Sequence, residues 1–322
     1  MKLNAQDIYD KLINEAQILD IKGQIKFNLG DVSIIVKQKD VVGNIMQEWL
    51  KGWFDKVGIE YALSDNTQMP PDFYLNLDDK TNNLLEVKAF NRNGTPGFDI
   101  ADFRMYVAEI QEKPYMLDVD YLIFGYDMND DGIVTIRDVW LKKVWQITRR
   151  MENYPINLQI KDGVIHKIRP GVWYSEKITD YAIFENLGDF VSAIEETIFK
   201  EPNLRDTVAP TWLAIFQKNY KTLNGHELFV PRWSEIKDKY DLVAKKKIIK
   251  AKEKLDLVLL KKSKIYEKKL KLQKDVIEAK TEKQRFLAEE RLKKVQISFD
   301  KILGEVSKAK KNYEELLAQE RK

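Results

Sequence analysis

Upstream of Pro231 the apolar residues come in short runs bounded by Asp, Asn, Gly and Pro; downstream they thin into a sparse stripe that recurs to the end of the chain. Alternation, or an unbroken apolar run, predicts a strand, and recurrence at three and four residues predicts a helix face. Residues 6–19 then form a short helix and residues 24–38 a hairpin turning at Leu29-Gly30-Asp31. Residues 40–57 form a helix capped by Asp40, with Ile45, Trp49, Leu50, Trp53 and Phe54 on its buried face. Strands over 72–77 and 84–90 follow, joined by the Asp- and Asn-rich turn 78–83. A polar loop, 91–97, leads to a helix over 98–112 with Ile100, Phe103, Val107 and Ile110 inward and Arg104 and Tyr106 on an outer side.

The second half continues the alternation. Strands are predicted over 120–126 and 132–136, a helix over 140–151 burying Leu141, Val144 and Ile147, and more strands within 156–184, including 168–174. Helices over 189–199 and 211–223 cover them. The expected fold class is α/β, a mixed β-sheet flanked by helices over residues 1–235, with a long helical, coiled-coil-like extension over 236–322. From residue 235 onward there is no proline and one glycine, Gly304, a long-helix composition. The stripe there runs through Leu255, Leu259, Ile265, Leu270 and Ile277, then Phe286, Val295, Phe299, Ile302, Val306, Tyr313 and Leu316. It thins over 278–285, where Thr281 and Gln284 form a capping-box pattern, so a helical hairpin turning near Lys280-Thr281 is favoured over one rod.

Charge sharpens that division. Residues 237–274 hold 15 Lys against 5 acids, a net +10, and residues 275–322 add +2; with +3 for the whole chain, residues 1–236 carry −9. A basic arm on an acidic core suits a polyanionic partner, and Lys245, Lys246 and Lys247 open that arm. The arm clamps DNA, pairs two subunits, or is a solvated, charge-laced helix pair. The absence of cysteine removes disulfides, thiol catalysis and thiolate zinc sites. There is no apolar run long enough for a membrane span and no apolar leader at the polar start, so a cytoplasmic protein is expected. His166, in an alternating strand, and His226, after Asn224-Gly225, are too few for a histidine-based metal site and receive no chemistry. Residues 127–138 place oxygen side chains around Gly132 at EF-hand spacing. The apolar, strand-like 121–126 before them favours an ordinary hairpin turn over a calcium loop.

The chemistry concentrates in Pro71-Asp72 and Glu86-Val87-Lys88. If strands 72–77 and 84–90 pair antiparallel, Asp72 and Glu86 lie side by side, and Lys88 shares the face of Glu86 because side chains alternate with period two. Two carboxylates offer hard oxygen ligands to Mg²⁺, and an ammonium beside them can orient a water or stabilise charge on a phosphate. The same residues also suit an exposed hairpin whose charges simply pair in solvent. The enzyme reading therefore depends on all three converging on one point.

Those residues, together with Gly43-Asn44, Gln47-Glu48-Trp49-Leu50, Asn66-Thr67-Gln68 and Pro71-Asp72-Phe73, resemble the PD-(D/E)xK nuclease superfamily, most closely the NgoBV-like type II restriction endonucleases. The likeness runs over about residues 1–235. It implies Mg²⁺-dependent hydrolysis of both strands of duplex DNA at a short sequence, with Mn²⁺ able to substitute. It also implies a homodimer and a cognate DNA methyltransferase as functional partner. On this resemblance Asp72 and Glu86 hold the metal with help from the Val87 carbonyl, Lys88 holds or activates the attacking water, and Glu48 is an auxiliary ligand. Gln68 is placed to position Glu48 or DNA, and Asn91, Arg92, Arg104 and Arg169 are candidate DNA contacts. A repair or structure-selective nuclease of the same superfamily, or a non-catalytic coiled-coil DNA-binding or scaffold protein, are the alternatives at this point.

Overall fold

The computed structural model describes residues 1–39, 41–66, 69–175 and 179–320, and divides into two units, one of residues 1–177 with 181–240 and the other of 241–322 with 178–180. The Asp40 cap and Gln68 lie outside the described residues.

The first unit begins with helix α1 (Ala5–Asp10), extended by a π turn, and strands β1 (Lys22–Gln24), β2 (Lys26–Leu29) and β3 (Val32–Ile35). Helix α2 (Val42–Val57) precedes β4 (Ala62–Leu63), β5 (Phe73–Tyr74), β6 (Leu84–Asn91) and β7 (Ala101–Asp102). Helix α3 (Phe103–Glu112) leads into β8 (Asp120–Met128), β9 (Ile133–Lys143), β10 (Leu158–Lys161) and β11 (Val164–Ile168). Helices α4 (Leu187–Lys200), α5 (Pro202–Arg205), α6 (Ala209–Asn224) and α7 (Trp233–Ile236) follow. Among the described residues the main sheet runs β1-β9-β8-β6-β5-β4, with β6 and β8 parallel and the other neighbours antiparallel; a second sheet runs β10-β11-β7.

Alternation along the central strands sends successive side chains into two cores. Leu85, Val87, Leu122 and Phe124 pack with Ile8 of α1, Leu12 of the π turn, and Leu50 and Phe54 of α2. Leu84, Phe90, Tyr121 and Ile123 pack with Phe103, Ile110, Ile194 and Trp212 of α3, α4 and α6. The mixed sheet flanked by helices is the expected class. Each fully buried aromatic or aliphatic side chain stabilises the unit by roughly 1.5–3 kcal/mol. The Phe54 ring meets Phe73 edge-on at 5.3 Å, which fixes α2 against the strand that follows Asp72.

Several local expectations change. Residues 140–143 continue β9 rather than starting a helix: Trp140 pairs with Ile123 and Lys143 with Asp120, because the nine-residue central strand β8 needs backbone partners along its length. One 3₁₀ turn, Val144–Ile147, follows, and residues 148–151 are not helical. Residues 169–174 form a loop, not a strand; Pro170 has no ladder donor, and the Gly171 N–H donates to the Ile147 carbonyl at 2.7 Å. The third helix starts at Phe103, since Asp102 caps it by accepting from Arg104 and Met105 N–H groups while its strand pairs with β11. Tyr106, expected outward, is fully buried. The 127–138 segment is a hairpin between β8 and β9; Asn129 Oδ1 accepts from the Asp131 and Ile133 amides, and Gly132 has φ +77°.

The second unit is a helical hairpin of α8 (Val243–Glu278) and α9 (Glu282–Glu320), turning at residues 279–281. The Gln284 amide donates to Thr281 Oγ1 and its side chain accepts from the Lys280 amide, both at 3.2 Å, so the residues of the expected capping box do hold the turn. Its buried positions repeat every seven residues, Ala288, Val295, Ile302 and Ala309 on α9 against Ala251, Val258 and Leu272 on α8. That is a coiled-coil seam. Leu259, Leu270, Ile277 and Phe286 of the expected stripe are exposed and lie off it.

Candidate active site

Asp72 sits just before β5, where its amide donates to the Leu85 carbonyl at 3.0 Å and so sets it beside β6. Its carboxylate is held at both oxygens. Oδ2 accepts from the Val87 amide and Oδ1 from Gln47 Nε2, each at 2.8 Å. Glu86, 5 % exposed, and Lys88 project from β6 to the face opposite Val87, and the Lys88 Nζ lies 2.7 Å from Glu86 Oε1. Met69, Asp99, Ile100, Ala101 and Lys167 complete an open cleft of ≈ 380 Å³ around these three. The two carboxylates and the ammonium therefore converge.

The electrostatics reflect crowding of like charge in a partly dry place. Burial first, then the Glu86 charge, raise the Asp72 carboxyl to about 7, against the pull of the Val87 amide and Lys88. Burial lowers the Lys88 ammonium, but Glu86, Asp72 and Asp99 outweigh it and leave its pKa above 10.5. Lys88 is thus a cation at neutral pH. Its charge offsets part of the repulsion between the two carboxylates. No group of three or more His, Cys, Asp or Glu able to hold a metal occurs among the described residues. Two carboxylates nevertheless fit Mg²⁺, which is commonly held by one or two carboxylates and keeps several waters.

The other sequence candidates are dispersed. Glu48 is 71 % exposed, 4.0 Å from Lys51, while its neighbour Gln47 reaches Asp72. The helix is rotated relative to expectation: Val42, Met46, Leu50 and Phe54 are buried, whereas Ile45 and Trp49 are exposed. Arg92 ion-pairs Asp138 at 2.6 Å and its guanidinium lies 4.2 Å from the Tyr174 ring and 5.4 Å from Trp140. Asn91 Oδ1 accepts from the Asn93 amide. Arg104 bonds the buried Glu201 at 2.8 Å. Arg169 pairs with Asp99 at the cleft wall. Lys246 pairs with Asp180 in the second unit, on the helix that also carries Lys245 and Lys247. Asp99 and Lys167 were not singled out in the sequence, and Gln47 stood there only within the resemblance, with no role.

A mixed sheet flanked by helices, with paired carboxylates and a lysine on adjacent strands, defines the core of a restriction-endonuclease-like protein. The family model of the NgoBV restriction endonuclease matches residues 2–240, and the chain belongs to that family. It is 62 % identical over 240 residues to the type II restriction enzyme NlaIV of Neisseria lactamica, covering 74 % of this chain and 98 % of that protein. It is 61 % identical over 161 residues to the type II restriction enzyme NgoBV of Neisseria gonorrhoeae, covering 50 % of this chain and 91 % of that one. The solved structure of the NlaIV restriction endonuclease superposes with a TM-score of 0.72 at 62 % identity, over 75 % of this chain and 98 % of that one.

Proposed function

We propose that this type II restriction endonuclease hydrolyses phosphodiester bonds in both strands of duplex DNA at a short specific sequence, using Mg²⁺, for which Mn²⁺ can substitute. The observation that carries this is the meeting of Asp72, Glu86 and Lys88 in one cleft of a chain from this family. Asp72 and Glu86, with the Val87 carbonyl, would hold the ion, which supplies positive charge to the scissile phosphate and makes the attacking water more acidic. Gln47 and the Val87 amide fix the Asp72 carboxylate in place. Lys88, beside Glu86, holds or activates the attacking water and stabilises charge that grows on the phosphate. The products are a 5′-phosphate and a 3′-hydroxyl.

Incubation of the purified protein with unmethylated phage DNA and Mg²⁺ tests this directly. Discrete fragments are expected with Mg²⁺ and none with EDTA or Ca²⁺; a smear would indicate a structure-selective or repair nuclease, and intact DNA would leave only a binding role. The host needs a methyltransferase that protects the same sequence, and access to that DNA places the enzyme in the cytoplasm. No described helix is long and apolar enough to cross a membrane.

The enzyme acts as a homodimer in this reading, since two strands related by a two-fold axis are cut by two sites. The β2–β3 hairpin supports it, with Phe27, Leu29, Val32 and Ile34 each more than half exposed. Sedimentation at micromolar protein should give a dimer that Leu29→Lys with Val32→Lys converts to a monomer. A wild-type monomer at concentrations that cleave would remove this part of the reading.

A further inference from the structure

The helical hairpin lies outside the residues matched by the family model, which ends at 240, and its two broad faces differ in charge. The grooves beside the seam show which rows share a face. One groove is lined by Asp275 and Glu278 of α8 with Leu287 and Arg291 of α9. The other is lined by Lys269 and Gln273 of α8 with Glu289, Leu292, Lys293 and Gln296 of α9.

Stepping by seven from these residues gives the composition of each face. The Asp275 row continues as Lys268, Lys261, Lys254 and Lys247, and the Glu278 row contains Lys271, Lys264 and Lys250. Arg291 begins one α9 row of this face, and the Leu287 row continues as Lys294, Lys301 and Lys308. The face thus carries eleven cations against four carboxylates, Asp275, Glu278, Glu305 and Glu315. All eleven cations are exposed, and none has an ion pair among the described residues. The opposite face is nearly balanced, with six cations (Lys245, Lys252, Lys262, Lys269, Lys293 and Lys310) against five carboxylates (Asp256, Glu282, Glu289, Asp300 and Glu314), and contains the exposed Leu259, Tyr266 and Leu270. A hairpin adapted only for solubility has no reason to sort its charges in this way.

We infer that the lysine face of residues 241–322 is a second DNA-binding surface, which holds duplex phosphates without reading sequence; this rests on DNA being the substrate, as proposed above. Lys247, Lys254, Lys261 and Lys268 recur about every 10.5 Å and span about 32 Å at 1.5 Å per residue, close to the roughly 34 Å of one duplex turn. Neutralising phosphates releases condensed counterions, so the salt dependence of binding counts the contacts made. Of the three lysines that open the arm, only Lys247 lies on this face; Lys245 is on the balanced one and Lys246 is paired with Asp180.

The test compares two triple variants of the full chain on a 40-base-pair random-sequence duplex in EDTA, where no cleavage occurs. Lys254→Glu/Lys261→Glu/Lys268→Glu should lower the slope of log affinity against log salt by about two to three, at about 0.9 per phosphate contact. It should also weaken binding at least tenfold at 100 mM salt. Lys245→Glu/Lys252→Glu/Lys293→Glu makes the same charge change on the balanced face and should weaken binding less than threefold. Equal losses would reduce the effect to overall charge, and no loss in either would make this a solvated face; both overturn the inference. Circular dichroism checks the helices, and the corresponding Gln triple replaces the Glu triple if folding fails. Because binding is read without cleavage, failure here and failure of the nuclease reading are separate results.

Discussion

Lys88→Ala should slow single-turnover DNA cleavage about a thousandfold while leaving Ca²⁺-supported DNA binding within about threefold. Removing one preorganised donor from a site of developing charge typically costs 10²–10³ in rate. Here the group is also an ammonium kept protonated between two carboxylates. Two helix variants grade the same site. Gln47→Ala removes one hydrogen bond to a partly buried carboxylate, a bond worth about 1.5 kcal/mol, and should cost about tenfold. Glu48→Ala removes an exposed side chain that lies 4.0 Å from Lys51 and should change the rate less than twofold. Rates and binding constants measured on one duplex substrate decide the order. If Glu48→Ala falls as far as Lys88→Ala, the auxiliary carboxylate of the sequence reading returns and Gln47 loses its role.

That contrast shows where the sequence was readable. Asp72 just precedes β5 and Glu86 and Lys88 lie on β6, two neighbouring strands joined by one turn, so local antiparallel pairing with period-two alternation places them together. Helix α2 offers no such certainty. Val42, Ile45, Met46, Trp49, Leu50, Trp53 and Phe54 cover more than one face, and a shift of one residue, about 100°, exchanges Glu48 for Gln47 beside the site. Asp99 and Lys167 approach through the small sheet β10-β11-β7, whose pairing joins residues more than sixty apart and leaves no local signature.

The same distinction explains the elements that changed. Leu141, Val144 and Ile147 recur at three and suit a helix, but the central strand β8 captures residues 140–143 as its antiparallel partner. Local pattern yields there to a tertiary demand for backbone hydrogen bonds. In the C-terminal hairpin the turn was legible from Thr281 and Gln284, because capping is local. The buried face was not, because a list of all large apolar residues mixes the seam with exposed positions such as Ile277 and Phe286. Ala251, Ala288 and Ala309, small residues absent from that list, belong to the seam.

Asp72→Asn should stabilise the metal-free protein at pH 8 and leave it nearly unchanged, or slightly weakened, at pH 4. The native carboxyl titrates near 7, raised by burial and by Glu86, against an ordinary value of 3.8. Below about pH 4 it is protonated both folded and unfolded, and ionisation carries no stability difference. Between about 4 and 7 the unfolded chain releases the proton while the folded one keeps it, so wild-type stability falls as pH rises through that window. Above 7 the full cost of the native carboxylate is present. A shift of about three units corresponds to at most roughly 4 kcal/mol. Loss of one acceptor for the Val87 amide or Gln47 returns about 1–2 kcal/mol, leaving a net gain of about 2 kcal/mol for the variant at pH 8. Mg²⁺ should reverse the order by stabilising wild type through binding to the folded state, with little effect on the variant. Denaturant melts at pH 4 and pH 8, with EDTA and with 10 mM Mg²⁺, read all of these effects. A wild type at least as stable as the variant at pH 8 in EDTA would show that the Asp72 and Glu86 charges are already relieved without metal. The electrostatic argument for an ion between them would then fail.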